Sequence, residues 1–163
     1  MKNAVYILSS TRTPIGAYSG ELSTVSATEL GAVAIKDAVE KATIKSDQVE
    51  SIVMGNVLSA NLGQAPARQA SMLAGLPEKT CATTVNKVCA SGMKAVSMVF
   101  NDIKLNNYEI GVAGGMENMS QVPHYLPNSR IGLGFGHGRL VDGMLKDGLT
   151  DVYNQTSMGV SGD

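Results

Sequence analysis

The chain has no excess of either charge and no long apolar run. Its 13 Lys and Arg residues stand against 14 Asp and Glu residues, which gives a net charge of -1, and like charges are not clustered. A protein that binds nucleic acid by neutralising phosphates needs a basic surplus, so the composition disfavours a nucleic-acid partner. No segment approaches the ~18 consecutive apolar residues of a membrane-spanning helix, so we also expect no membrane span.

The chain is also poor in cysteine and shows no leader. Cys81 and Cys89 are its two cysteines, which are too few for a fold stapled by disulfides. Residues 1–3 run straight into the apolar alternation of residues 4–8, without the basic segment and cleavage site of a signal peptide. We therefore expect a soluble, cytoplasmic protein in which both cysteines are reduced thiols.

Strand and helix patterns alternate along most of the chain. Apolar or β-branched runs predict strands at residues 4–9, 51–57, 83–88 and 108–113. Helices are predicted behind the capping-box pair Ser26 and Glu29, at residues 65–73 and at residues 90–105. Strands that alternate with helices pack as a mostly parallel sheet covered by helices. The 163 residues therefore predict one α/β domain of order βαβαβαβ, with an appendage.

The pattern changes after Gly114 and Gly115. Glycine occupies every second position from residue 132 to residue 138, and little apolar periodicity remains before Leu140. Long loops in compact domains tend to be functional, to take part in assembly, or to be disordered. We divide the chain into an α/β part, residues 1–118, and a loop-rich part, residues 119–163, with one helical turn predicted at residues 142–145. The alternating glycines follow no predicted strand and open no helix, so they do not indicate a nucleotide site.

Cys89 lies where a predicted strand turns into a helix. Its sulfur would lie near exposed backbone N–H groups and the positive end of the helix dipole, which favours thiolate over thiol. The small residues Ala90, Ser91 and Gly92 would let a substrate carbonyl approach N–H groups that stabilise an oxyanion. We predict Cys89 as a nucleophile, with Ala90 and Gly92 in the oxyanion turn. The alternative is a buried structural role, since free cysteine is among the most buried residue types.

The helix behind Cys89 is apolar around most of its circumference. Lys94 is the only charged residue between residues 90 and 100. This pattern is typical of a helix that is buried on all sides.

The other reactive side chains give weaker signals. Cys81 precedes a predicted strand and is expected in the core. His124 and His137 are candidate bases for Cys89, but Gly-rich loops hold a base poorly, and we expect loop residues there. Residues 111–115 end a strand with glycine, which indicates either a plain turn or the close approach of another backbone. No metal site is predicted.

The segment around Cys89 resembles the acyl-accepting cysteine segment of the thiolases. Further segments match the same family in order and spacing along nearly the whole chain. The matching segments are RTPIG at 12–16, GNVL at 55–58, GQAPARQA at 63–70, VNKVCASGMKA at 85–95 and AGGMENMS at 113–120. DGLTD at 147–151 and SMG at 157–159 are most similar to the members that form acetoacetyl-CoA. The resemblance implies the N-terminal half of an αβαβα layered fold and the start of its loop domain, with the helix after Cys89 between two sheets.

The resemblance also implies a reaction. Cys89 would take an acetyl group from acetyl-CoA as a thioester and release CoA. A second acetyl-CoA, deprotonated at its methyl carbon, would then attack the thioester to give acetoacetyl-CoA. CoA thioesters are substrates in this scheme, and no cofactor is implied. Leu149 and Met158 match positions that line the pantetheine channel.

The resemblance further concerns assembly and location. Residues 119–140 match the region that includes the tetramerisation loop, so a homotetramer, a dimer of dimers, is implied. Thiolases occur in the cytosol, in mitochondria and in peroxisomes, and these motifs do not separate the three.

The chain departs from the family in what it lacks. Thiolases carry a catalytic histidine, a second cysteine and an asparagine-held water in a second half, and nothing in these 163 residues matches them. The segment Ser161-Gly162-Asp163 also differs from the family's usual continuation. We therefore expect no turnover from residues 1–163 alone. Two alternatives stay open: a cysteine hydrolase or thiol peroxidase that pairs Cys89 with His124 or His137, and a non-catalytic half that associates with thiolase subunits.

Overall fold

Three parallel strands form the central sheet of this computed structural model, which describes residues 4–162. The strands are β1 Ser51–Gly55, β2 Cys81–Val85 and β3 Gly111–Gly115, and β1 lies in the middle. The helices are α1 Ala27–Lys41, α2 Pro66–Leu73 and α3 Ser91–Lys104. The predicted alternation of helices and parallel strands is thereby confirmed for three of its four strands and for all three helices.

The register brings the carboxyl ends of the three strands to one edge of the sheet. Gly55, the last residue of β1, pairs with Val85 on one side and with Gly115 on the other. In open parallel sheets, ligands bind outside this edge, where the chain reverses its direction across the sheet. Here β2 lies on one side of β1 and β3 on the other, so the chain reverses its direction across the sheet. A site is therefore expected at this edge.

Both faces of β1 are covered, which explains why residues 52–54 at its centre are all apolar. Ile52 and Met54 belong to a core cluster with residues of α1 and α2. Val53 packs on the opposite face against Ala95 and Val99 of α3. The strand is buried along its whole length, so it is the structural centre of the chain.

The beginning of α1 follows from local hydrogen bonds. The Ser26 hydroxyl accepts from the Glu29 N–H at 3.2 Å, and the Glu29 carboxylate accepts from the Ser26 N–H at 2.9 Å. This reciprocal pair is the predicted capping box, and it satisfies two backbone donors at the end of the helix.

The prediction of a strand at residues 4–9 is wrong. This segment forms no strand, and Tyr6, Ile7 and Leu8 are exposed. It runs beside α1, where the Ser9 hydroxyl donates to the carbonyl of Ala38 at 2.6 Å. Apolar alternation makes a strand only where a partner strand accepts its backbone hydrogen bonds, and residues 4–162 place none beside it.

The expected burial of α3 on all sides is also wrong for this chain. Ser91, Ala95 and Val99 are buried against the sheet. Met93, Val96 and Phe100 lie on the outer side and are 78%, 50% and 44% exposed. A second sheet on this outer side stays a prediction, because the described residues contain only the central sheet and a two-stranded pair.

Cys81 is not a core residue. The third predicted strand begins two residues earlier than expected. Cys81 is therefore the first residue of β2, an outer strand of the sheet, and is exposed. It borders a cavity of about 520 Å³ near Lys79 and Tyr108, at the end of the sheet opposite Gly55.

After β3 the chain forms short elements. They are β4 His124–Tyr125 and β5 Val141–Asp142, which pair antiparallel, a π-helical turn at Leu145–Leu149, and 3-10 turns at Met119–Gln121, Ser129–Ile131 and Val160–Gly162. The predicted turn at residues 142–145 is found slightly later, leading into the π-helical turn. The Asn118 amide donates to the carbonyl of Val25 at 2.6 Å, which ties this region to the α/β part. The division at residue 118 stays a prediction.

Some expectations concern absences or the chain ends. No helix within residues 4–162 is long and apolar enough to cross a bilayer. The same residues hold no group of three or more side chains placed to bind a metal ion. The expectations for residues 1–3 and for Asp163 lie outside the described residues.

Candidate active site

A strained turn connects β2 to α3. Val88 has a φ of +49°, in the left-handed region that β-branched residues rarely adopt. Such a backbone costs about 1–3 kcal/mol and persists only where its surroundings hold it. Ser91 supplies part of that hold, since its hydroxyl accepts from the Lys87 N–H at 2.8 Å and donates to the Val88 carbonyl at 2.6 Å. Asn86 supplies the rest by accepting from the Val88 N–H at 2.9 Å.

Cys89 is the residue that this turn presents. It lies between Val88 and Ala90, the N-terminal capping position of α3, and it is exposed. The predicted place at a strand-to-helix junction is confirmed, and the alternative of a buried structural cysteine is wrong. The thiol is therefore open to an incoming acyl group.

The N–H groups around Cys89 are partly engaged. The Ala90 N–H donates to the carbonyl of Lys87 at 3.1 Å, and the Ser91 N–H donates to the carbonyl of Val88 at 3.0 Å. Ala90 therefore contributes to the turn. The oxyanion role assigned to Ala90 and Gly92 stays a prediction.

Open space lies beside Gly92. A Cβ built on this residue would have no neighbouring atom within 4 Å. Glycine is therefore not needed here to avoid crowding the neighbouring sheet. What glycine leaves at this position is open space in the first turn of α3, three residues after Cys89.

Gly92→Ala tests whether glycine is needed at this position for close packing or for the open space. We expect the variant to be as stable as the original, or more stable by up to ~1 kcal/mol, because alanine is the better helix former. We expect slower acyl transfer to Cys89, because the methyl group occupies the open space. Thermal unfolding and single-turnover acylation measure the two effects. A clear loss of stability, or an unchanged acylation rate, contradicts this reading.

Close packing occurs one layer away, at Gly55. A Cβ on Gly55 would lie 2.7 Å from the carbonyl carbon of Ser91 and 2.8 Å from the nitrogen of Gly92. At Gly115 on β3, by contrast, the carbonyl oxygen of Gly55 and the Cα of Gly92 each lie 3.6 Å from the Cβ position, an ordinary van der Waals distance. Gly55 therefore lets α3 begin directly on the sheet edge, whereas no backbone comes comparably close to the glycines that end β3.

Glu117 and Asn56 lie at the same sheet edge, where β1 and β3 end. No role was predicted for either residue from the sequence. The half-buried Glu117 carboxylate accepts from the backbone N–H groups of Val57 and Leu58 at 2.8 Å and 3.1 Å, and from the Asn56 amide at 2.9 Å. Burial is the main influence on this carboxyl group and raises its pKa above that of an ordinary glutamate, although the three hydrogen bonds lower it. The available signal was one polar residue directly after β1 and another soon after β3, since these strand ends meet at one edge.

Leu149 and Met158 are brought together by the structure. The Met158 N–H donates to the carbonyl of Leu149 at 2.9 Å, and Thr150 bridges to Ser157 between them. Gly148 packs against the side chain of Leu58, whose nearest carbon would lie 3.2 Å from a Cβ built on Gly148. This pair therefore lies on the side of the loop region that touches the strand edge. Its role in substrate binding stays a prediction.

His124 and His137 belong to the loop region. His124 lies in β4, paired with Asp142, and is exposed. His137 is an exposed residue of the glycine-rich segment. Both are loop residues as expected, and the structure gives neither a position at the Cys89 turn.

The two cysteines differ in their surroundings, although both are exposed. Cys89 precedes a helix N-terminus, whereas Cys81 begins a strand at the opposite end of the sheet. We expect iodoacetamide at neutral pH to alkylate Cys89 several-fold faster, because the positive end of a helix dipole stabilises the negative charge of an attacking sulfur. Peptide mapping against time measures both rates, with Cys81→Ser and Cys89→Ser to assign the peptides. Equal rates, or faster alkylation of Cys81, would remove the helix-dipole argument.

A family model described as the N-terminal domain of thiolases matches residues 5–163, which include the whole edge just described. The chain belongs to the thiolase family. The resemblance of its motifs and the thiolase-like α/β fold are both confirmed.

Individual thiolases show the extent of the likeness. The chain is 55% identical over 159 residues to the acetyl-CoA acetyltransferase ERG10, cytosolic, of Gibberella zeae, with 98% of the chain and 40% of that protein covered. It is 53% identical over 159 residues to acetyl-CoA acetyltransferase 1 of Arabidopsis thaliana, with 98% and 38% covered. A crystal structure of the Acat5 thiolase from Ascaris suum in complex with coenzyme A superposes with a TM-score of 0.92 at 41% identity, covering 96% of this chain and 41% of that one.

The chain thus spans about two fifths of the length of the relatives that it matches. Membership of the thiolases does not favour the cysteine hydrolase or the thiol peroxidase.

Proposed function

We propose that the protein acts in acetyl transfer between two molecules of acetyl-CoA, as an acetyl-CoA C-acetyltransferase, and that these residues carry its acyl-accepting site. The observation that carries the proposal is the exposed Cys89, held on a strained turn that leads into α3, with open space at Gly92 in the first turn of that helix. The names of the acetyl-CoA acetyltransferases that share half or more of these residues support the choice of acyl group.

The first half-reaction follows from this geometry. The thiolate of Cys89 attacks the thioester carbonyl carbon of acetyl-CoA, and the carbonyl oxygen becomes an oxyanion at the N-terminal end of α3. Collapse of this intermediate breaks the bond to the CoA sulfur. The products are S-acetyl-Cys89 and CoA as a thiolate, which takes up a proton.

The second half-reaction needs a base. A second acetyl-CoA loses a proton from its methyl carbon, the carbanion attacks the carbonyl of S-acetyl-Cys89, and acetoacetyl-CoA leaves as the thiolate is restored. A positioned base contributes on the order of 10²- to 10⁴-fold to such a proton transfer. The family assigns this base to a part of the enzyme that residues 1–163 do not match, so turnover by these residues alone is not expected.

The surroundings of the site extend the proposal. Leu149 and Met158, joined by their backbones, would line the channel for the pantetheine arm of CoA. Assembly as a homotetramer through residues 119–140 is supported by the exposed apolar side chains of Ile131, Leu133 and Phe135 in that segment. A cytosolic location is proposed from the named cytosolic relative, while another relative is named mitochondrial.

The test is the covalent intermediate. The protein is mixed with acetyl-CoA, quenched in acid and digested, and its peptides are analysed by mass spectrometry. We expect one acetyl group on the peptide that holds Cys89 and one equivalent of free CoA. Acetyl groups only on the Cys81 peptide, or none at all, contradict the proposal. Turnover of a simple acetyl ester in the absence of CoA would support the hydrolase instead.

A further inference from the structure

Glu117 connects two of the three strand ends at the sheet edge where the carboxyl ends of β1, β2 and β3 meet. It follows β3 by two residues, yet its carboxylate binds the segment that follows β1. One oxygen accepts from the Val57 N–H at 2.8 Å, and the other accepts from the Leu58 N–H at 3.1 Å and the Asn56 amide at 2.9 Å. Both oxygens are therefore occupied by donors of one short segment, residues 56–58.

That segment in turn holds the third strand end and the cysteine turn. The Asn56 N–H donates to the carbonyl of Val85, the last residue of β2, at 3.1 Å. The Val57 carbonyl accepts from the Asn86 amide at 3.4 Å. The same Asn86 side chain accepts from the N–H of Val88 at 2.9 Å, and so holds the left-handed residue that precedes Cys89.

The Glu117 carboxylate is an unfavourable group to bury. Its burial opposes the charged form, whereas the two backbone donors and the amide stabilise it. An apolar residue of similar size would avoid the cost of burial, but it would leave the N–H groups of Val57 and Leu58 without their acceptor. The carboxylate is thus matched to the segment that it holds.

We infer that Glu117 is a positioning residue for Cys89, acting through residues 56–58 and Asn86 to hold the turn at Val88 in the geometry that presents the thiol. The inference rests on the proposed function of Cys89, because acylation is the reaction that senses the position of the thiol. Glu117 does not touch the reacting atoms. Its effect is on the fraction of thiols that point at the acyl carbon, where a shift of 1 Å can change a rate by ~10²-fold.

The variant that tests the inference is Glu117→Gln. Glutamine keeps the size of the side chain. Its NH₂ group, however, must face at least one of the N–H donors that now donate to the carboxylate. We expect the limiting rate of Cys89 acetylation to fall by roughly 10- to 100-fold. We expect the acetyl-CoA concentration at half the limiting rate to stay unchanged, because no group that contacts CoA is altered. Circular dichroism at the assay temperature verifies that the variant is folded.

Glu50→Gln is the matched control. Glu50 also accepts two consecutive backbone N–H groups with its carboxylate, those of Glu109 and Ile110 at 2.7 Å and 3.2 Å. It lies at the other end of the sheet, next to the first residues of β1 and β3, and is exposed. We expect the same substitution there to leave the acetylation rate of Cys89 unchanged. An equal loss of rate in both variants would overturn the inference, because it would indicate a general structural effect.

Asn86→Ala tests the route between Glu117 and Cys89. If both residues hold the same turn, the double variant Glu117→Gln/Asn86→Ala is expected to be about as slow as the slower single variant. Independent, multiplying losses would overturn the inference. The unaltered protein distinguishes failure of the proposed function from failure of the role of Glu117. If it fails to form S-acetyl-Cys89, the proposed function fails; if it acetylates and Glu117→Gln acetylates as fast, only the inference about Glu117 fails.

Discussion

Cys89→Ser is expected to eliminate acetyl transfer to the protein while leaving the fold intact. A serine hydroxyl is a far weaker nucleophile at neutral pH than a thiol, which is partly ionised there, and the turn offers it no adjacent base. We expect acylation to fall by at least ~10³-fold, since removing a nucleophile can cost on the order of 10⁶-fold. The exposed position predicts a change in stability within about 0.5 kcal/mol.

The measurement is the rate of acetyl-CoA consumption in single-turnover conditions, combined with a thermal unfolding curve. Cys81→Ser is the control, because it removes the other exposed thiol at the opposite end of the sheet. The control is expected to acetylate at the original rate. Residual acylation of Cys89→Ser at a tenth of the original rate or more would place the nucleophile elsewhere.

Gly55→Ala is expected to have the largest effect on stability among the glycine substitutions at the site. The new Cβ would lie 2.7 Å from the Ser91 carbonyl carbon and 2.8 Å from the Gly92 nitrogen, which are backbone atoms of α3 and cannot rotate away. Overpacking of this kind costs about 1–3 kcal/mol. Since α3 must also move away from the sheet edge, we expect slower acetylation of Cys89 as well.

Gly114→Ala is the matched control for this substitution. Gly114 lies in β3 beside β1, but a Cβ there meets the side chain of Met54, at 3.0 Å from its sulfur. A methionine side chain can adjust, so we expect a smaller loss of stability. Denaturant unfolding midpoints compare the two variants. Equal losses would show that the contact with the α3 backbone is not the source of the effect.

Several elements could be predicted because their causes are local. Ser26 and Glu29 form the capping box of α1 with their own backbone, and the apolar run of β1 is buried on both faces as its composition indicates. The position of Cys89 between β2 and α3 follows equally from the neighbouring residues. Such features depend on contacts within a few residues, or on a burial pattern that one strand carries alone.

Other expectations failed because they depended on distant partners. Residues 4–9 have the alternation of a strand, but the described residues supply no neighbour for their hydrogen bonds. The apolar circumference of α3 indicates burial on all sides, yet only the face with Ala95 and Val99 meets the sheet. Cys81 is exposed because β2 is an edge strand, and the order of strands is not written in the sequence of any one strand.

The amino-acid sequence by itself determined the α/β class, the helix ends, the place of Cys89 between a strand and a helix, and the likeness to the thiolases, since residue patterns and motifs carry this information directly. Only the tertiary structure decided that Glu117 and Asn56 belong to the same edge as Cys89, that Gly92 borders open space, and that Gly55 receives the backbone of α3. Glu117 lies 61 positions from Asn56 along the chain, and their hydrogen bond forms because β1 and β3 pair in parallel register and end at the same edge. Contacts of this kind depend on the strand order and register of the folded sheet, which a reading of neighbouring residues does not contain.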